Sequence, residues 1–236
     1  MKTCRASFEI VWNPNPDELN AHLERCARTC YRSQGKIGPG TAEKLLRSVL
    51  EREHESVIEH AAITVRFVVD RGVSHELVRH RLASFSQEST RYVKYAGDDS
   101  EGNEITFVEP VFWCDPELAR TGRKDRVGLY SLWFEAMERA EESYLCMLAN
   151  SAKPEEARSV LPNSLRTEIV MTANPREWRH VLRLRTSPKA HPQMREVMIP
   201  LAIELAKLYP VLFGEFAHVG TARDYALRPV EGGMKT

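Results

Sequence analysis

The stretch at residues 61–70, AAITVRFVVD, decides the fold class. Apolar side chains alternate along it with a second, more polar set, and a period of two predicts a half-buried strand. Residues 165–172, LRTEIVMT, repeat this alternation. The side chains predicted to share the apolar face of the first strand are Ile63, Val65, Phe67 and Val69.

Shorter strands and several helices are predicted around these two segments. Asp17 is predicted to cap a helix that ends near residue 31, and Ser74 is predicted to cap a helix that ends at residue 82. Asn174 is predicted to cap a third helix, which begins at Pro175. Further helices are predicted at residues 127–149 and 194–208, strands at 5–12 and 105–108, and loops at 84–91 and 96–103. No regular βαβ alternation and no Gly-x-Gly-x-x-Gly after a strand occurs, which argues against a Rossmann domain. We therefore expect an α+β fold with a mainly antiparallel sheet and flanking helices, in one domain at 1–217 with a mobile tail at 218–236.

Composition narrows the class of protein. The 236 residues include 33 basic and 33 acidic side chains, and this balance argues against bulk nucleic-acid binding. No apolar stretch approaches the ~20 residues that span a bilayer, and the start lacks a signal peptide. We therefore expect a cytoplasmic protein without a membrane partner. Five cysteines without zinc-site spacing predict neither a disulfide framework nor a metal site.

The strongest functional signal is the run at residues 79–92, RHRLASFSQESTRY. It holds three arginines and a histidine among hydroxyl and amide groups, with no lysine and one acid, Glu88. Arginine forks bind phosphates and carboxylates through paired hydrogen bonds. If the helix reached residue 82, Arg79 and Arg81 would face two sides, and residues 84–91 would offer amides and hydroxyls to a phosphate. The run predicts a nucleotide site, although a solvated charged face is the alternative.

Two other segments carry candidate ligand groups. Residues 54–60, HESVIEH, place two histidines six apart, which does not match the zincin pattern. A structural role, in which these side chains cap and lead into the following strand, explains that segment about as well as ligand contacts do. Residues 174–185, NPREWRHVLRLR, place Arg176, His180 and Arg183 on one helical stripe. No activated protein nucleophile is evident, so the inventory suits chemistry done by a bound cofactor.

These motifs together resemble those of the flavin-dependent thymidylate synthases of the ThyX type. Arg79-His80-Arg81, seven residues and then Ser89 match the family signature, and residues 54–60, 157–162 and 174–185 resemble other family segments in the same order. The resemblance covers about residues 20–215. It implies an α+β homotetramer with active sites shared between subunits. It also implies methylation of dUMP to dTMP, with methylenetetrahydrofolate as carbon donor, FAD as hydride carrier and NADPH as reductant.

The resemblance also implies residue roles. Arg185 would be catalytic, since a fixed cation that holds the pyrimidine favours loss of the N3 proton. Ser89 has no base beside it in sequence, so a dUMP-binding role is preferred to a nucleophilic one. The implied FAD contacts are Ser56, Glu59, Arg79, His80, Arg81, Gln87, Asn174, Arg176 and His180. The implied dUMP contacts are Glu76, Arg79, Gln87, Glu88, Ser89, Thr90, Arg91, Arg158 and Arg185.

Some positions depart from the commonest family pattern. Ser86 and Gln87 stand where many members have Asn-Glu, Glu76 where some have Gln, and Cys30 where Ser is frequent. None of these changes removes an arginine expected to bind phosphate. Two other classes of function remain open: a nucleotide-binding or regulatory protein that lost turnover, and an RNA-binding module that uses the arginine-rich run. The neutral net charge makes the RNA-binding module the weakest of the three.

Overall fold

The computed structural model describes residues 1–95, 104–114 and 125–220. The predicted loop at 96–103 and the tail beyond residue 220 lie outside the described residues. The strands are β1 (Lys2–Cys4), β2 (Ser7–Trp12), β3 (Ile63–Asp70), β4 (Ala83–Gln87), β5 (Thr106–Val108) and β6 (Arg166–Ala173). The helices are α1 (Pro16–Thr29), α2 (Thr41–Glu51), α3 (Arg71–Leu77), α4 (Val111–Cys114), α5 (Asp125–Ala149), α6 (Pro154–Ala157), α7 (Pro175–Arg185), α8 (Pro192–Leu208) and α9 (Pro210–Phe213). Short 3-10 turns span Gln34–Lys36, Glu55–Glu59, Arg158–Val160 and Gly214–Phe216.

The main sheet has four antiparallel strands in the order β2-β3-β6-β4. Strands β1 and β5 form a separate parallel pair. The two strands that decided the fold class, β3 and β6, pair along their full length from Ile63 opposite Ala173 to Asp70 opposite Arg166. The predicted mainly antiparallel α+β fold is therefore confirmed.

One face of this sheet is covered by the helices of the C-terminal half. The four predicted apolar residues of β3 are all fully buried. Trp178 of α7 lies in the same core, and its indole Nε1 donates to the carbonyl oxygen of Ile63 at 3.0 Å. Its ring also packs 6.4 Å from that of Phe67. These contacts hold α7 against the central strand β3. They also fix which side of the helix is exposed.

Several predicted elements are confirmed within one or two residues. They are the strands now seen as β3, β5 and β6, and the helices seen as α5, α7 and α8. The predicted cap of α7 is also present, since Asn174 Oδ1 accepts a hydrogen bond from Glu177 N at 2.9 Å. No helix in the described part of the chain is long and apolar enough to cross a membrane.

The predicted capping of the first helix is wrong by two residues. Asn15, rather than Asp17, is the cap, because its Oδ1 accepts from the backbone N–H groups of Asp17 at 3.0 Å and Glu18 at 3.3 Å. Pro16 occupies the first helical position, where its missing N–H has no cost. The helix ends at Thr29, short of the predicted residue 31.

The predicted helix from Ser74 to residue 82 and the loop after it are also wrong. Asp70, the last residue of β3, caps α3 by accepting from Val73 N at 2.7 Å, and the helix ends at Leu77. Residues 83–87 then form β4 beside β6. Alternate residues of β4 are half-buried and exposed, the period of two that was overlooked in a polar run. Arg79 and Arg81 therefore lie on the turn between α3 and β4, so the helical-wheel argument that placed them on two sides does not apply.

Candidate active site

The end of α7 meets the end of α3 through the side chain of Arg185. Its Nη1 donates to Glu76 Oε2 at 2.5 Å and its Nη2 to the Glu76 carbonyl oxygen at 3.0 Å. Its Nε donates to His80 Nε2 at 3.0 Å. The predicted catalytic residue is thereby held by two predicted ligand-binding residues more than 100 positions away, with its side chain 19% exposed.

His80 is buried behind this guanidinium group. Burial, together with the nearby charges of Arg185 and His180, lowers the pKa of His80 to about 4. The imidazole is therefore neutral near pH 7, and since its Nε2 accepts from Arg185, its proton lies on Nδ1. The Nδ1 atom lies 3.6 Å from Glu177 Oε1. His80 is placed to orient Arg185 without adding a second positive charge.

His80, Glu177 and His180 form a cluster whose potential ligand atoms lie within 4.8 Å of one another. A metal ion would need a lone pair of His80 directed at its centre. The Nε2 lone pair is engaged by Arg185, and the Nδ1 atom near Glu177 carries the proton. Both ring nitrogens of His80 are therefore engaged by protein groups, and the expected lack of a metal here stays a prediction.

We expect the low pKa of His80 to make the protein less stable in mild acid. Between about pH 6.5 and 4 the His80 imidazole binds a proton in the unfolded chain but stays neutral in the folded chain. The free energy of unfolding therefore decreases by about 3 kcal/mol as the pH falls through this range. Urea unfolding across this range, compared with His80→Gln, measures the effect. The variant keeps an acceptor for Arg185, and a pH dependence identical to that of the wild type would contradict the assignment.

Several predicted flavin-binding groups lie exposed on the surface. Neither Arg79 nor Arg81 forms a side-chain hydrogen bond or ion pair with any described residue. The His180 ring is exposed at an edge-on centroid distance of 6.0 Å from the His80 ring. Arg176 is half-exposed and donates to Glu59 at 2.5 Å. Exposed cations of this kind are chemically suited to a ligand with several negative charges.

The basic residues of α7 divide into two groups. Arg176, His180 and Arg183 are exposed, as the predicted stripe requires. Arg179 is buried, and it donates to the carbonyl oxygen of Leu212 and to the carboxylates of Glu55 and Glu215. Arg183 pairs with the same two carboxylates. Arg179 and Arg183 therefore connect the helix to the rest of the fold.

Two of the predicted phosphate-binding residues lie at a cavity of about 420 Å³. Thr90 and Arg158 both line it, and Arg158 Nη1 donates to Thr90 Oγ1 at 3.2 Å. Arg71 and His75 line it as well, although no motif had singled them out. Their i, i+4 spacing on α3 was the only available signal, and it depended on a helix whose start had been placed too late.

Other predicted contacts are engaged within the fold. Gln87 Nε2 donates to Ser74 Oγ at 2.9 Å. The Glu88 carboxylate accepts from the Tyr95 hydroxyl group and from Glu168 N. Burial and the Glu88 carboxylate raise the pKa of Tyr95, which keeps that hydroxyl group a donor.

The remaining predicted contacts have simpler surroundings. Ser89 Oγ accepts from Arg91 N at 3.3 Å, and the Arg91 guanidinium group lies 5.3 Å over the Tyr92 ring. Ser56 is exposed on the 3-10 turn Glu55–Glu59, and the side chain of Asn174 is committed to its helix cap. All of these ligand contacts stay predictions.

The fold and site together define an α+β protein with an exposed arginine-rich face, whose charge is chemically suited to an anionic ligand. The sequence model described as thymidylate synthase complementing protein matches residues 12–211. The flavin-dependent thymidylate synthase of Mycobacteroides abscessus is 36% identical over 231 residues, covering 94% of this chain and 90% of that protein. The corresponding enzyme of Mycobacterium avium is 32% identical, covering 88% and 84%. The chain therefore belongs to the family of flavin-dependent thymidylate synthases.

A solved structure supports the fold independently. The UMP/dUMP methylase PolB from Streptomyces cacaoi, bound with 5-Br dUMP, superposes with a TM-score of 0.75. The two chains are 24% identical, and the match covers 92% of this chain and 97% of the other. The architecture is shared at a level of sequence identity that carries no residue roles.

Proposed function

We propose that this protein converts dUMP to dTMP by reductive methylation. Methylenetetrahydrofolate is the carbon donor, FAD the hydride carrier and NADPH the reductant. Membership of the family supports this reaction, and one structural observation carries it. Arg185 is held half-buried by His80 and Glu76, beside the signature that begins at Arg79. Such a preorganised cation can stabilise charge that develops on a bound ring.

The chemical role proposed for Arg185 follows from its surroundings. Loss of the N3 proton leaves the uracil ring anionic and makes its C5 atom more nucleophilic, and a guanidinium group at the ring favours that state. Because His80 is neutral, the Glu76 carboxylate is the charge that offsets Arg185. A pyrimidine that takes the Nη1 donor displaces the Glu76 carboxylate and so meets a stronger cation than the ligand-free site contains.

The residues of the exposed face fit a flavin dinucleotide. Arg79 and Arg81 carry charge that no described residue neutralises, which suits the pyrophosphate. When bound, FAD supplies the hydride for the reaction. We propose that the residues that hold it are Ser56, Glu59, Arg79, His80, Arg81, Gln87, Asn174, Arg176 and His180.

The nucleotide is assigned to the neighbouring groups. Arg158 and Thr90 lie together at the cavity and would bind the phosphate, and Arg185 would hold the pyrimidine. We propose that the residues that bind dUMP are Glu76, Arg79, Gln87, Glu88, Ser89, Thr90, Arg91, Arg158 and Arg185.

The assembly proposed is a cytoplasmic homotetramer of one catalytic domain at residues 1–217, with active sites shared between subunits. Apolar side chains exposed near the site support an interface there: Leu82 and Tyr92 are each 77% exposed and Leu184 is 50% exposed. Light scattering coupled to size-exclusion chromatography measures the mass, and a monomer at working concentrations would contradict this assembly.

The reaction is tested in two measurements. Purified protein is expected to be yellow, with flavin absorbance that changes when dUMP is added. Flavin-loaded protein is then given 5-tritiated dUMP, NADPH and methylenetetrahydrofolate, and release of tritium is followed. Binding of dUMP without tritium release would contradict the proposed reaction and favour the alternative of a nucleotide-binding protein. Tight RNA binding that weakens steeply with salt would favour the RNA-binding alternative.

Arg81→Ala is expected to weaken flavin binding without affecting folding. Loss of one charge-assisted contact should raise the Kd for FAD about tenfold, while the free energy of unfolding changes by less than about 0.5 kcal/mol. Flavin fluorescence titration of the apoprotein measures the affinity. Arg139→Ala is the matched control, because Arg139 is an exposed arginine on α5 outside the proposed site. Equal FAD affinities in both variants would remove Arg81 from the site.

A further inference from the structure

The cavity at Thr90 and Arg158 has a second wall that the family signature does not supply. That wall is α3, where Arg71 and His75 stand one turn apart and both line the cavity. The start of α3 is fixed against the opposite wall, since Arg71 N donates to the carbonyl oxygen of Asn163 at 2.9 Å. The two walls therefore keep their spacing through the backbone, without depending on flexible side chains.

The charges of the cavity favour an anion. Two guanidinium groups and an imidazole face one carboxylate, that of the exposed Glu155. Arg71 is available, because its side-chain hydrogen bond to a described residue, from Nη1 to Thr167 Oγ1 at 3.5 Å, is at the outer limit of hydrogen-bond length. The Thr90 hydroxyl accepts from Arg158 and can still donate its own proton. The cavity thus offers hydrogen-bond donors from α3 and from the opposite side, where Thr90 and Arg158 lie.

We propose that Arg71 and His75 bind the phosphate group of the nucleotide together with Thr90 and Arg158. This inference rests on the proposed function, since it takes dUMP as the ligand. Arg71 supplies a permanent charge. His75 adds a hydrogen bond from its imidazole N–H. His75 is therefore a specificity-determining residue that favours the phosphorylated nucleotide over the nucleoside that lacks the phosphate.

The test is the affinity of flavin-loaded protein for dUMP, measured by calorimetry and compared with its affinity for deoxyuridine. His75→Ala is expected to raise the Kd for dUMP about fivefold. The charged groups that line the cavity with His75 are Arg71, Arg158 and Glu155.

Three controls sharpen the result. His218→Ala removes an exposed histidine that does not line the cavity, and should leave the Kd unchanged. Glu155→Gln removes the opposing carboxylate and should lower the Kd about twofold. Deoxyuridine, which lacks the phosphate, should bind wild type and His75→Ala equally.

The outcomes separate this inference from the proposed reaction. If the protein never releases tritium but the loss in His75→Ala is confined to phosphorylated ligands, including inorganic phosphate as a competitor, the inference stands without the enzyme. An unchanged Kd in His75→Ala would overturn the inference even in a fully active enzyme. So would an equal loss for dUMP and deoxyuridine. Arg71→Ala, measured alongside, should weaken dUMP binding and leave deoxyuridine binding unchanged.

Discussion

Replacement of Arg185 by alanine is expected to reduce kcat/KM for dUMP methylation on the order of a thousandfold while the protein stays yellow. The guanidinium group is the cation held against the proposed pyrimidine position by His80 and Glu76, and alanine leaves no charge there. The exposed groups proposed to hold the flavin are untouched. Tritium release under saturating NADPH and folate measures turnover, and flavin absorbance measures occupancy.

A structural role of Arg185 has to be separated from a chemical one. Arg185→Lys keeps the charge but cannot make all three of the hydrogen bonds from the guanidinium group, so intermediate activity is expected. Glu76→Gln keeps a hydrogen-bond acceptor but removes the offsetting charge, which tests whether that charge limits the cation. Near-normal turnover in Arg185→Ala would refute the assigned role.

Replacement of Arg179 by alanine is expected to be the most destabilising change among the basic residues of α7, at about 3–5 kcal/mol. Its side chain is 6% exposed, and the change leaves the Leu212 carbonyl oxygen and part of the charge of Glu55 and Glu215 without a partner. Urea unfolding followed by circular dichroism measures the loss.

Arg183→Ala is the matched control for Arg179→Ala. Arg183 pairs with the same Glu55 and Glu215, but its side chain is 48% exposed, so we expect a loss of less than about 1 kcal/mol. If the two variants lost equal stability, burial would not be what distinguishes these neighbouring arginines.

Much of the fold was predictable because its signals are local. Apolar and polar side chains alternate within the ten or fewer residues of β3 and of β6. This alternation alone predicts a sheet with one buried face. The α3–β4 region failed for an identifiable reason. Asp70 could be read as the end of a strand or as a helix cap, and the alternation of β4 was concealed by serines that face solvent.

The candidate site was predictable only in part. The signature at Arg79 and the stripe on α7 were visible as unusual concentrations of arginine, whereas Arg158 was a lone candidate. The family match confirms the resemblance based on these segments, and the ligand contacts stay predictions. What distinguishes Arg176 from Arg179 is burial, and burial depends on which segments pack against the helix.

The sequence by itself determined the class of fold, the family and the set of cations available to a ligand, because periodicity, motif order and residue type are properties of the chain alone. Only the tertiary structure decided how those cations are used. Arg185 is paired with Glu76 and His80, Arg179 is committed to the scaffold, and Arg71 and His75 join Arg158 at one cavity. Each of these facts depends on atoms within a few ångströms that are distant in the chain, because hydrogen bonds, ion pairs and desolvation act over distance in space.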